Sequence, residues 1–198
     1  MAKKIAITGG IGSGKSYVAT YIKTLGYPVF SCDEIYKDLC QSSSYIEKVQ
    51  TQFPEVVSNN QIDKKKLSQI VFSNKTRLEK LNRLSHPLIM EKLHQEMDNE
   101  KGDLVFAEVP LLFEGGYEKD FCETIYVKRN LKDRIQGIIQ RDKIGESEAI
   151  ARIHNQIDFS QVEYKIKERN LIVHVVENEG TLMDLEEEIN QLIQSLNT

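Results

Sequence analysis

The chain has 198 residues, 40% of them hydrophobic, which suits one globular domain with a substantial core and room for an inserted subdomain. A formal net charge of −4 gives no general attraction to nucleic acid or to an anionic membrane. No apolar run approaches about 18 residues and the sequence enters a strand pattern at once, so neither a spanning helix nor a signal peptide is expected; Cys32, Cys40 and Cys122 lack zinc-ligand or disulfide spacing and point to a reducing cytoplasm.

Lys4-Ile5-Ala6-Ile7-Thr8 reads as a first strand. It runs into Gly9-Gly10-Ile11-Gly12-Ser13-Gly14-Lys15-Ser16, which fits the phosphate-binding pattern Gly-x-x-x-x-Gly-Lys-Ser/Thr. A loop that wraps a polyphosphate must turn several N–H groups inward, and side chains would block that approach. Glycine therefore fills positions 9, 10, 12 and 14. Lys15 falls at a helix start, where its ammonium reaches β- and γ-phosphates, and the Ser16 hydroxyl can sit on Mg²⁺. Val18, Ala19, Ile22 and Leu25 share one face of the helix that follows, and Gly26 ends it. The loop thus lies between strand and helix, with the helix N-terminus adding partial positive charge.

Tyr27-Pro28-Val29-Phe30 reads as a second strand, ending at Ser31-Cys32-Asp33-Glu34. Asp33 is a candidate base or substrate contact at the carboxyl edge of a sheet. Equally, it is a candidate N-cap for a helix over 34–39. Residues 34–100 show no convincing strand. Helical spacing recurs in Leu67, Ile70, Val71, then Leu78, Leu81, Leu84, then Leu88, Ile89, Leu93, Met97, with polar breaks at Ser58-Asn59-Asn60-Gln61 and Ser73-Asn74-Lys75. The reading is a helical insertion between two strands of the sheet. Lys64-Lys65-Lys66 is a solvated face. Pro87 suits a first helical turn, which places His86 near a helix start.

Leu104-Val105-Phe106-Ala107-Glu108-Val109 is a nearly continuous apolar strand of the kind buried in a parallel sheet. Glu108, near its end, is a candidate Mg²⁺ ligand. Thr124-Ile125-Tyr126-Val127 is a fourth strand, followed by a helix carrying Leu131, Ile135, Ile138 and Ile139 into Arg141-Asp142. The charged helical stretch 145–167, which carries Arg152 and follows Arg141, reads as a lid whose arginines close over phosphates. Leu171-Ile172-Val173-His174-Val175-Val176 is a fifth strand. A last helix begins at Thr181 with Asp184 three residues on, a weak capping box.

Taken together, 8–16, Ile62-Asp63-Lys64-Lys65-Lys66-Leu67 with Val71-Phe72, Leu81-Asn82 with His86-Pro87-Leu88-Ile89, and Val109-Pro110-Leu111-Leu112-Phe113-Glu114 resemble the dephospho-coenzyme A kinase family. So do Arg141-Asp142, Arg152-Ile153 with Gln156, and Asn178 with Gly180. The resemblance spans nearly the whole chain. It implies an α/β three-layer sandwich of the phosphate-loop NTPase type with a five-stranded parallel sheet. The core would be 1–33, 103–140 and 170–198, the coenzyme-binding helical insertion 34–102, and the lid 141–169.

It also implies that ATP, with Mg²⁺, phosphorylates the ribose 3′-hydroxyl of dephospho-CoA in the cytoplasm. Nucleic acid and membrane would take no part, and the chain would be a monomer or weak homo-oligomer. Gly10, Ile11, Gly12, Ser13, Gly14, Lys15, Ser16, Tyr17 and Arg141 would bind ATP. Asp33 would be the base or orienter, with Lys15 and Arg141 as its catalytic partners. Asp33, His86, Pro110 and Leu111 would meet the acceptor, and Ser16 and Glu108 the metal. The chain departs from the family pattern at Ser31, where an acid is usual, and at Tyr17, where threonine is usual. Gly137 stands where an arginine is common, and Lys64 replaces an arginine. Rival readings are a kinase for another small acceptor and a non-catalytic ATP-binding regulator.

Overall fold

The computed structural model describes residues 2–197. By their contacts these fall into two units, one holding the chain up to Phe30 and from Met97 onward, the other Ser31–Glu96. The chain opens with β1 (Lys3–Thr8), α1 (Lys15–Thr24) and β2 (Val29–Ser31). Val18, Ala19 and Ile22 are the buried face of α1, as their spacing dictates.

The second unit begins with α2 (Cys32–Leu39) and α3 (Ser43–Gln52). A short ribbon follows, β3 (Val57–Ser58) paired antiparallel with β4 (Gln61–Ile62). No strand is expected from the sequence here. The polar break at 58–61 is a hairpin turn instead, because Asn59 and Asn60 both take positive φ, 49° and 57°, which asparagine tolerates and two-residue hairpins require. The unit continues with α4 (Lys64–Phe72), capped by Asp63 accepting from the Lys66 N–H, and α5 (Lys75–Asp98). Its core gathers Tyr45, Val49, Phe53, Val56, Leu67, Val71 and Leu81. The Tyr45 and Ser85 hydroxyls share a buried hydrogen bond of 2.7 Å.

Pro87 lies inside α5, so His86-Pro87 does not mark a helix start. Proline removes one bond to the carbonyl four residues back. The helix continues because its apolar stripe does not stop there: Leu81, Ile89, Leu93 and Met97 are all buried. Tertiary burial outweighs one lost backbone bond.

The remainder comprises β5 (Leu104–Glu108), α6 (Leu112–Gly115), β6 (Glu123–Lys128), α7 (Leu131–Asp142), α8 (Glu146–His154), α9 (Phe159–Arg169), β7 (Val173–Glu177) and α10 (Leu182–Leu196). Strand β7 starts two residues later than its apolar run. Asn170 closes α9 in the left-handed region and the Leu171 N–H bonds back to the Ile166 carbonyl, so that residue finishes a helix cap. The five-stranded sheet has the order β2-β5-β1-β6-β7. Parallel pairing joins β1 to β5, β1 to β6 and β6 to β7.

Alternation along the strands makes the layers. Ile5, Ile7, Phe106, Ile125 and Val127 face Val18 and Ile22 of α1 and Leu185, Ile189 and Ile193 of α10. On the other face Tyr126 packs its ring on Phe113 of α6 and Phe159 of α9. Consecutive strands β5 and β6 lie on opposite sides of β1, so the sheet's topology reverses at the carboxyl end of β1, where open α/β sheets bind ligands.

Candidate active site

The chain leaves β1 at that reversal and enters the loop 9–16. Several of its carbonyls are fixed by donors. The Gly10 carbonyl takes the Ser13 N–H at 3.0 Å, that of Ile11 takes Arg134 Nε at 2.9 Å, and that of Ser13 takes Asn178 Nδ2 at 2.9 Å. The Gly14 carbonyl takes the N–H groups of Tyr17 and Val18. No backbone acceptor among the described residues takes the N–H groups of Gly12, Gly14 and Ser16. Carbonyls fixed outward leave amides inward, which is an anion-binding nest. Helix α1 begins without a side-chain cap, since its N-cap is Gly14, and its first amides add to the nest.

The glycines answer to the protein as much as to a phosphate. A Cβ on Gly10 would sit 2.4 Å from Arg134 Nη2, and one on Gly14 would sit 2.4 Å from Asn178 Nδ2. Gly14 also takes φ +96°. Gly14→Ala combines left-handed strain of about 1–2 kcal/mol with the displaced Asn178 amide. Triphosphate affinity is expected to fall at least about tenfold, since ~1.4 kcal/mol is a factor of ten. Titration calorimetry with ATP checks this, and unchanged affinity would refute it.

Lys15 is the first residue of α1, and its ammonium acts electrostatically on the Glu114 carboxylate. Ser16 donates its hydroxyl to Glu108 Oε1 at 2.6 Å. The two residues expected to hold a metal are therefore adjacent. The Tyr17 hydroxyl turns the other way and donates to Glu186 of α10 at 2.5 Å. The Tyr17 ring packs against the core cluster shared by α1 and α10.

Arg141 ends α7 and clasps its neighbour Asp142, with Nε to Oδ1 at 2.7 Å and Nη2 to Oδ2 at 3.0 Å. Arg152 of α8 donates to the same carboxylate at 2.7 Å. One aspartate thus holds two guanidiniums together, and the charges of both arginines depress its pKa, the Arg141 hydrogen bond most. A phosphate group would compete with Asp142 for both.

Sequence reasoning missed Arg134, three residues before the unexpected Gly137 and on the same face of α7. Gln156, quoted only as part of the lid pattern, accepts the Ile11 N–H at 2.6 Å. Arg134 and Gln156 therefore grip the two sides of residue Ile11, and no local pattern signals it.

Asp33 is the second residue of α2 and is exposed. Ser31 holds the N-cap position of that helix without a side-chain cap bond, so Asp33 lies within the first turn and is not the cap. His86 is half-buried inside α5, and burial holds its imidazole below the ordinary range, hence neutral near pH 7. Pro110 and Leu111 are half-buried in the link between β5 and α6.

Comparison with known proteins follows the same lines. The family model described as dephospho-CoA kinase matches residues 3–184. A dephospho-CoA kinase of Fusobacterium nucleatum is 36% identical over 196 residues, covering 97% of each chain. A crystal structure from Thermus thermophilus superposes with a TM-score of 0.81 at 33% identity, covering 98% of both chains. A dephospho-CoA kinase from Campylobacter jejuni gives a TM-score of 0.69 at 28% identity, over 99% of this chain and 98% of that one. Shikimate kinase from Acinetobacter baumannii, 17% identical with a TM-score of 0.56 over 98% of this chain and 94% of its own, shares the fold. With that match over nearly its full length, on a five-stranded parallel sheet whose central strand feeds a phosphate loop, the chain belongs to the dephospho-CoA kinase family.

Proposed function

We propose that this kinase transfers the γ-phosphoryl group of ATP to the ribose 3′-hydroxyl of dephospho-CoA, giving CoA and ADP, the final step of coenzyme A biosynthesis. The observation that carries the reading is the loop 9–16, with its Ile11 and Ser13 carbonyls held from outside by Arg134 and Asn178, in a chain of this family. Phosphoryl transfer asks the protein mainly to position groups and neutralise charge. The amide nest and Lys15 hold the β- and γ-phosphates. Arg141 leaves Asp142 to meet the charge that develops on the transferring group.

Asp33 orients the 3′-hydroxyl and accepts its proton. The oxygen then attacks the γ-phosphorus, and the bond to the ADP oxygen breaks. His86, Pro110 and Leu111 contact the acceptor. A neutral His86 can either donate or accept a hydrogen bond there.

Ser16 and Glu108 fit Mg²⁺. They offer two hard oxygen donors 2.6 Å apart beside the nest, and Mg²⁺ commonly takes one or two protein oxygens with the rest from phosphate and water. Bound there, the ion neutralises charge on the β- and γ-phosphate oxygens. No helix among the described residues is long and apolar enough to cross a membrane. The reading places the protein in the cytoplasm, as a monomer or weak homo-oligomer, acting on two small molecules without nucleic acid or membrane.

Turnover with ATP, Mg²⁺ and dephospho-CoA is expected to release ADP only when the acceptor is present. Phosphorus NMR should place the new phosphate on the 3′-oxygen. ADP release only with a nucleoside monophosphate would overturn the acceptor. Acceptor-independent ATP binding without turnover would favour the regulator.

A further inference from the structure

Helices α7 and α8 lie against the phosphate loop. Ile11 of the loop packs on the apolar cluster of Ile135, Ile138, Ala149 and Ile153 that joins them, and a Cβ on Gly12 would sit 3.2 Å from Ile138 Cγ1. Arg141 is one turn beyond Ile138, and Arg152 directly precedes Ile153. The helix pair beside the loop thus carries two guanidiniums, and the group between them is an anion. Asp142 gives both its oxygens to Arg141, at 2.7 and 3.0 Å, and Oδ2 also accepts from Arg152 Nη1 at 2.7 Å. Glu148, one turn back along α8, binds Arg152 alone. The Asp142 side chain is 20% exposed, against 61% for Arg141 and 40% for Arg152, so a ligand meets the guanidiniums before it meets the carboxylate. A phosphate accepts the same two-bond fork from arginine that a carboxylate does, and it carries more charge.

We infer that Asp142 is a specificity-determining residue for the nucleotide, an internal anion that holds Arg141 and Arg152 in place of the γ-phosphate and yields them to it. The inference rests on the reading of the loop as an ATP site, in which Arg141 meets the transferring group. Binding ATP then includes the cost of parting Arg141 from Asp142. ADP lacks the transferring group and leaves the pair intact. Asp142 therefore trims the advantage of ATP over ADP. In the empty site the same carboxylate keeps two like charges from repelling one another. Once the γ-phosphoryl group has been transferred, Asp142 takes the arginines back, and ADP is held by the amide nest and Lys15 without them.

The test is equilibrium binding of ATP and of ADP, which needs no acceptor and so does not depend on dephospho-CoA being the substrate. Asp142→Asn keeps the shape of the side chain and removes its charge. It is expected to bind ATP about fivefold more tightly than wild type, the upper end for a surface ion pair that no longer has to be broken, and ADP within about twofold. A damaged fold loses affinity, so a merely structural role cannot produce a gain. Glu148→Gln removes a like charge from the same helix pair without touching Arg141, and should leave ATP within about twofold. In an Arg141→Ala background the gain from Asp142→Asn should disappear, because the two residues act as one unit. An equal gain for ADP, or a gain that persists without Arg141, would mean a general charge effect and overturn the inference. So would ATP binding that is unchanged or weaker in Asp142→Asn. If that variant has a lowered melting temperature, nitrogen-15 NMR of the wild-type arginine Nε–H groups decides, with Arg141 assigned through Arg141→Lys. The Arg141 resonance should move with ATP and stay with ADP, and equal movement would overturn the inference. A wild-type chain that binds neither nucleotide would overturn the ATP reading, and the inference with it.

Discussion

Asp33→Asn is expected to lower kcat for transfer to the 3′-hydroxyl by about 10²–10⁴-fold, the range for removing a general base, while KM for ATP stays within about twofold. The amide has the shape of the carboxylate and still orients a hydroxyl, but it cannot take the proton. The fold should survive. Ser31 is the N-cap of α2, so the substitution removes only a first-turn charge worth about 0.3–1 kcal/mol at a helix N-terminus, and Glu34 still supplies an acid there. Steady-state kinetics with both substrates, beside a thermal melt, separates chemistry from stability. Small and equal effects on turnover and on ATP affinity would sink the role of Asp33 and favour the regulator.

Lys15→Met should cost about 10²–10³-fold in kcat/KM, the loss seen when one preorganised donor to a developing oxyanion is removed. Methionine keeps the length and packing of the side chain and deletes its charge. Lys15→Arg should recover only part of the loss, because a broad planar fork does not replace a compact ammonium in a loop built to close on phosphate. A second readout is independent of turnover. The Glu114 carboxyl lies above its ordinary pKa because surrounding protein displaces water from it, and the Ile157 N–H and the Lys165 and Lys15 ammoniums pull it back. Removing the Lys15 charge favours the neutral acid, so Glu114 should titrate at still higher pH in Lys15→Met. Carbon-13 NMR of the glutamate carboxyls reads this directly. An unchanged Glu114 titration would mean that Lys15 does not act on it.

The departures at Tyr17 and Gly137 have structural counterparts. Tyr17 cannot offer a hydroxyl to phosphate because it gives it to Glu186, which ties α1 to α10. Beside Gly137 the nearest group is Arg129, just past the end of β6, with Nη1 3.8 Å from where a Cβ would lie, while Arg134, one turn earlier, holds the Ile11 carbonyl. Neither is visible by looking for the missing residue at its own position.

Period and punctuation in the sequence were enough for the five strands, the phosphate loop between β1 and α1, and the burial of Val18, Ala19 and Ile22. These depend on residues within a turn or two of one another, where alternation and glycine placement act locally. They were not enough at two places in 34–100. The 58–61 break is a hairpin, because two asparagines in a row can take positive φ, and Pro87 lies inside α5, because burial on both sides of it outweighs one lost bond.

What only the tertiary structure decided is the set of groups that hold the loop in shape. Arg134, Gln156 and Asn178 reach Ile11 and Ser13 across 123, 145 and 165 residues of chain. Contacts between residues so far apart leave no periodicity behind. They exist because parallel strands β1, β6 and β7 bring their carboxyl ends to one edge of the sheet, and with them the segments that follow each strand.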